Sequence, residues 1–142
     1  MGRAARQGKP LGALFIMGDS AKVLEYSQQL VLNPFAGHEG AERRITNPDA
    51  HDMIMEFAKL DGAFVIRGDG FIRTAGTFLR VSRDDVDIPS GLGARHTAAA
   101  GITARTYATA MSVSAADGHV RAFSGGDLVM QMDPEVPFIP VA

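Results

Sequence analysis

The 142-residue sequence has no cysteine and no tryptophan. Without thiols there is no disulfide framework, no zinc–thiolate site and no thiol nucleophile, and a cytoplasmic setting is the expectation. Neither sign of charge dominates. Fourteen Lys and Arg against sixteen Asp and Glu leave a net charge of −2, which excludes a broad basic face for nucleic acid. No apolar run is long enough to span a bilayer, and the first residues do not read as a signal peptide. G-x-S-x-G, H-E-x-x-H and Walker A patterns are all missing. No internal repeat and no Pro/Gly/Ser-rich linker divides the chain, so residues 1–142 read as one domain. With 46% hydrophobic residues it can bury a core of its own.

Within that domain the apolar pattern alternates strand and helix. Residues 1–9 are basic and rich in small residues, and read as the end of a helix whose start precedes the sequence. Leu11 to Met17 is a continuous apolar run, as in a strand buried on both faces. Residues 20–30 read as irregular with a short helix, and 35–44 as a surface loop. Asn47-Pro48-Asp49 supplies an N-cap, a proline at the first helical position and an acid in the first turn, and predicts a helix reaching Leu60. Met53, Ile54, Phe57 and Ala58 form its apolar face. Ala63–Ile66 and Phe71–Leu79 flank Gly68-Asp69-Gly70 as a hairpin. Residues 81–89 are acidic and loop-like. A helix then runs to about Thr106, followed by strands over 107–114 and 119–124, an edge strand over 128–132, and an extended proline-containing tail. The order predicts an α/β fold: a single domain with a central mixed β-sheet flanked by helices.

Two places ask for more than structure. Ser90-Gly91-Leu92-Gly93-Ala94-Arg95-His96 is a glycine turn entering a small-residue helix. Gly91 and Gly93 permit positive φ and close backbone approach. An arginine in the first turn opposes the helix dipole, and makes sense if an anion sits between it and the backbone. A plain helix start with a surface Arg-His pair is the simpler alternative. At Asp61-Gly62, the glycine is explained as a helix C-cap. The acid lies at the unfavourable end of the dipole, where a carboxylate could hold a metal or orient a hydroxyl. His38, His51 and His119 have no metal-ligand spacing.

Taken together, these stretches resemble a known family. Leu60-Asp61-Gly62-Ala63-Phe64-Val65-Ile66, followed by Gly93-Ala94-Arg95-His96-Thr97, is similar to the D-G-A and G-T-R-H-R motifs of diadenylate cyclase (DAC) domains. Gly8–Phe15, Asn33-Pro34-Phe35, Ala75–Leu79 and Met111–Ser114 resemble the strands and connections around those motifs, in the family's order. The resemblance implies that two ATP molecules condense to cyclic di-AMP with release of two pyrophosphates, in two domains that meet face to face as a homo-oligomer. It assigns catalysis to Asp61, Arg95 and His96. Asp61 would also bind a divalent metal, Mg or Mn. Nucleotide binding falls to Gly62, Ala63, Phe78, Leu79, Gly93, Ala94, Thr97 and Ser114. Phe78 and Leu79 would lie near the adenine, and Ser114 near the phosphates.

The chain also departs from the pattern. Thr97 stands where the family has its last arginine, Ala94 where it usually has threonine, and Ala115-Ala116 where acids often follow the serine. Two alternatives stay in play, the first of them favoured by Ala94 and Thr97. One is a nucleotide-binding or sensing module of the same fold with weak or no activity. The other is an oligomerisation domain whose glycine turn only packs against a neighbour.

Overall fold

The computed structural model describes residues 12–30, 32–38, 40–60, 62–81, 93–114 and 118–133. Seven strands form one sheet: β1 (Ala13–Met17), β2 (Ser27–Gln29), β3 (Ala63–Ile66), β4 (Ile72–Leu79), β5 (Thr109–Val113), β6 (Val120–Ser124) and β7 (Asp127–Met132). Their order across the sheet is β2-β4-β3-β1-β5-β6-β7. Only β1 and β3 run parallel, and every other neighbouring pair is antiparallel. Among the described residues there are also three helices, α1 (Ser20–Glu25), α2 (Pro48–Phe57) and α3 (Ala94–Arg105), and a short 3-10 turn over Gly40–Arg43. The expected mixed sheet flanked by helices is what forms. Among the described residues, no helix is long and apolar enough to cross a membrane.

Strand alternation divides the apolar residues between two faces. Leu14 and Ile16 of β1, Ala63 and Val65 of β3, and Ala110 of β5 pack with Ala99, Ala100 and Ile102 of α3 and Val23 of α1. Ala13 of β1 and Phe64 and Ile66 of β3 face the other way, onto Ile54 of α2, Ala58 and Phe35. The central strands are therefore covered on both sides, which is why β1 and β3 read as unbroken apolar runs.

Several boundaries differ from the sequence reading. Asn47 does cap α2, its side chain accepting the Asp49 amide at 3.0 Å. The helix stops at Phe57 rather than Leu60. The amides of Lys59 and Leu60 reach back only three residues, to Glu56 and Phe57, tightening the last turn. Residues 27–29, expected to be irregular, form edge strand β2. Ser27-Gln28-Gln29 has no apolar alternation, and it is held instead by backbone pairing to Thr77–Leu79. Phe35 does not lie on a surface loop. It is fully buried, edge-on to Phe57 at 5.1 Å and to Phe64 at 6.4 Å.

The connections shape one end of the sheet. Beyond β2, the open edge of β4 is closed by side chains. Arg43 donates to the carbonyls of Ile72 (3.0 Å) and Arg73 (2.7 Å), and Asn33 donates to that of Arg73 (2.8 Å). This leaves the opposite end of the sheet, where α3 begins, open as a cleft.

Candidate active site

The cleft has a volume of about 700 Å³, within the range of small-molecule sites. Its floor is a row across four strands. Ser112 of β5 is opposite Leu14 of β1, Leu14 lies beside Ala63 of β3 by the parallel register, and Ala63 is opposite Thr77 of β4. All four line the cleft. Val113 and Ser114 extend the floor along β5. Phe78 and Leu30, about half exposed, form an apolar lip on the β4 side. The far wall is the first turn of α3: Gly93, Ala94, Arg95, His96 and then Ala98.

That helix start is uncapped by any side chain. Gly93 has none to offer, and its carbonyl accepts the amides of His96 (3.1 Å) and Thr97 (3.2 Å). Among the described residues no side chain caps these first amides, which meet the cleft at the positive end of the dipole. The Arg95 guanidinium hydrogen-bonds to no described residue and lies over the backbone of Gly12. The His96 ring packs 5.9 Å from that of Phe123.

Gly62 and Gly93 differ in why each is glycine. Gly62 has φ +98° and is not a helix C-cap, because α2 has already ended at Ala58. A Cβ here would meet the backbone of β4, 2.7 Å from the Thr77 nitrogen and 2.8 Å from the Gly76 carbon. Gly93 does not use the positive φ open to it: its φ is −79°, and an added Cβ would meet no described non-neighbouring atom within 4 Å.

The cleft thus brings together Gly62 and Ala63 from one motif, Gly93, Ala94, Arg95 and His96 from the other, and Phe78, Leu79 and Ser114 from the strands between and after them. Thr97 is not among the lining residues. Its hydroxyl turns back to the Gly93 carbonyl at 3.4 Å. Asp61, Gly91 and Leu92 lie outside the described residues. Among the described residues, no group of three His, Cys, Asp or Glu could hold a metal.

Sequence reading missed Leu14, Leu30, Thr77, Ala98, Ser112 and Val113. Strand alternation was the available signal for Ser112, which shares a face with Ser114. Ser112 is 1% exposed, and its hydroxyl has no hydrogen-bond partner among the described residues. Thr77 is held from behind. Its hydroxyl and that of Thr74 both donate to the Gln29 carbonyl oxygen, at 3.1 and 2.8 Å, while the Gln29 amide donates to the Ala75 carbonyl at 2.5 Å.

The described residues thus form an α/β domain with a sheet-floored cleft, walled by a helix start and an arginine that have no side-chain partner among those residues. The chain belongs to the DAC family, described as DisA bacterial checkpoint controller nucleotide-binding, whose match covers residues 1–128. It is 47% identical over 135 residues to a diadenylate cyclase of Haloferax volcanii, covering 95% of this chain and 49% of that protein. It is 44% identical over 134 residues to one of Methanocaldococcus jannaschii, covering 94% of this chain and 42% of that protein. The chain therefore spans about half the length of these relatives. The fold is shared with a double mutant of DacA from Staphylococcus aureus, at TM-score 0.65 and 23% identity over 94% of this chain and 82% of that one. A hypothetical membrane spanning protein from Bacillus cereus also matches, at TM-score 0.65 and 21% identity over 88% of this chain and 55% of that one.

Proposed function

We propose that residues 1–142 act as one nucleotide-binding unit that condenses two ATP molecules into cyclic di-AMP and two pyrophosphates. The observation that carries this reading is that one cleft has Gly62 and Ala63 at its floor and the start of the R-H helix as its wall. Phosphoryl transfer depends on positioning and on neutralising charge, with little covalent work for the protein. The described walls suit that division of labour. The Ala63–Leu14–Ser112 floor and the Phe78–Leu30 lip receive the nucleoside, with Phe78 and Leu79 near the adenine. The first amides of α3, Arg95, His96 and Ser114 receive the phosphates. Asp61 orients the 3′-hydroxyl that attacks the α-phosphate of a second nucleotide, held by a second copy facing the first.

The described lining contains no carboxylate, so of the residues this reading assigns Asp61 would hold a divalent cation, Mg or Mn. Bound there, it would offset charge that a chain of net −2 does not neutralise by itself. A cytoplasmic setting, where ATP is available, belongs to the same reading.

A second reading, a nucleotide-binding module with little turnover, draws on one observation. Arg95 is the only arginine or lysine among the described lining residues, and Thr97 turns away from them. The experiment that separates the two is incubation with ATP and Mg²⁺ or Mn²⁺, with products read by mass spectrometry. Cyclic di-AMP that disappears in Asp61→Asn, with a specific activity that rises with protein concentration, is expected. ATP binding without product supports the module. No binding of ATP refutes both.

A further inference from the structure

Gly12 precedes β1, and nothing about its backbone calls for glycine, since its φ is not in the left-handed region. The reason for glycine is a side chain of α3. An ideal Cβ at this position would lie 2.5 Å from Nη1, 2.7 Å from Cζ and 2.8 Å from Nη2 of Arg95. The guanidinium fork occupies the volume that any side chain at position 12 would take. Because Ala13 pairs with Val113, the next positions outward are Gly12 and Ser114, so the fork rests beside the phosphate-side end of the floor. Arg95 makes no hydrogen bond or ion pair with a described residue, so no described acceptor fixes its direction. Shape does this instead.

We propose that Gly12 is a positioning residue: its missing side chain is the seat that holds the Arg95 guanidinium, oriented and uncommitted, beside Ser114 for the phosphates of the bound nucleotide. A long cationic side chain left to itself loses rotamer entropy when it binds. A seat that confines the guanidinium beforehand removes part of that loss and leaves the donors of the guanidinium for the ligand. This inference rests on the nucleotide-binding reading above.

The test is a double-mutant cycle on the full chain, with ATP and Mg²⁺ as the probe and affinity measured by calorimetry. Gly12→Ala displaces only the far end of a flexible side chain, so the fold should survive while ATP affinity falls about tenfold, as expected for losing a charge-assisted hydrogen bond. In an Arg95→Ala chain the seat is empty, and adding Gly12→Ala should change affinity less than twofold. An equal loss in both backgrounds, or no loss in either, overturns the proposal. If Gly12→Ala instead lowers the melting temperature sharply, the double variant should recover it, because the clash is with Arg95. Failure to recover means that position 12 matters for the strand and not for the arginine. No ATP binding by the parent chain overturns this inference and the nucleotide reading together. Parent binding with unchanged affinity in Gly12→Ala overturns this inference alone.

Discussion

Ser112→Ala should stabilise the protein and weaken its ligand binding. The hydroxyl sits on the floor of the cleft, 1% exposed, with no hydrogen-bond partner among the described residues. A buried polar group left unpaired costs about 1–3 kcal/mol of desolvation. Replacing it with a methyl removes that cost. The void left by one oxygen returns only a few tenths of a kcal/mol at about 24 cal/mol per Å³. The net expectation is about 1 kcal/mol of added stability, or roughly 3–6 °C in melting temperature for a domain of this size. A natural domain keeps such a group where binding uses it. If a nucleotide supplies the missing partner, the variant loses a hydrogen bond of about 0.5–1.5 kcal/mol in the complex, a Kd weaker by about two- to thirteenfold. Thermal denaturation of the ligand-free chain and calorimetry with ATP read the two effects separately. A lower melting temperature would refute the burial argument. A higher melting temperature with unchanged Kd would refute the ligand role and leave the hydroxyl unexplained.

Gly62→Ala should be among the most damaging single changes in the chain. It places a methyl 2.7–2.9 Å from backbone atoms of Gly76 and Thr77, which cannot swing aside as a side chain can, and at a φ of +98°. A loss above about 3 kcal/mol in urea denaturation is expected, and a loss under 1 kcal/mol would contradict the geometry. At the β3–β4 turn, the hydrogen bonds from Arg67 hold the Asp69 carboxyl down at about 2, with the Phe71 amide adding to the effect. A depressed carboxylate contributes stability above its unfolded pKa that fades as the pH falls through its folded one. Any acid sensitivity of this turn should therefore fall between about pH 4 and 2, and an NMR titration of Asp69 with a midpoint near 4 would deny the pairing.

Much of the fold was legible because burial and periodicity coincide in it. The two-sided burial of β1 and β3, the Asn47 cap and the glycine-rich β3–β4 turn each leave a local mark in the residue pattern. What stayed hidden depends on partners distant in sequence. β2 exists because β4 offers an open edge and Gln29 can bridge Thr74 and Thr77, and Ser27-Gln28-Gln29 alone says nothing of this. Phe35 follows Asn33-Pro34 in a stretch that reads as loop, but Phe57 and Phe64 leave room for its ring. The candidate site divides the same way. Gly93, Arg95, His96 and Asp61 stood out by their places at helix ends, and Ala63, Phe78, Leu79 and Ser114 were reached through the resemblance to a family. Leu14, Thr77 and Ser112 became visible only once the strand register aligned them in one row.

The glycines carry this distinction furthest, because three of them look alike in the sequence and answer to different demands. Gly62 is required by the backbone of β4, and Gly12 by the Arg95 side chain. Gly93 is required by no described part of the protein. Its φ of −79° suits any residue, and the space beside it is empty. Gly93→Ala should then cost the fold little. Alanine is a poorer N-cap than glycine, but it also narrows the unfolded ensemble, and the two effects leave a net change within about 1 kcal/mol. In the proposed complex the added methyl would stand at the first turn of α3, where that reading brings the phosphates to the amides. A melting temperature within a few degrees of the parent, together with ATP affinity reduced tenfold or more, would assign this glycine to the ligand. An unchanged affinity would mean that the nucleotide does not approach the α3 amides, and the phosphate end of the cleft would have to be placed elsewhere.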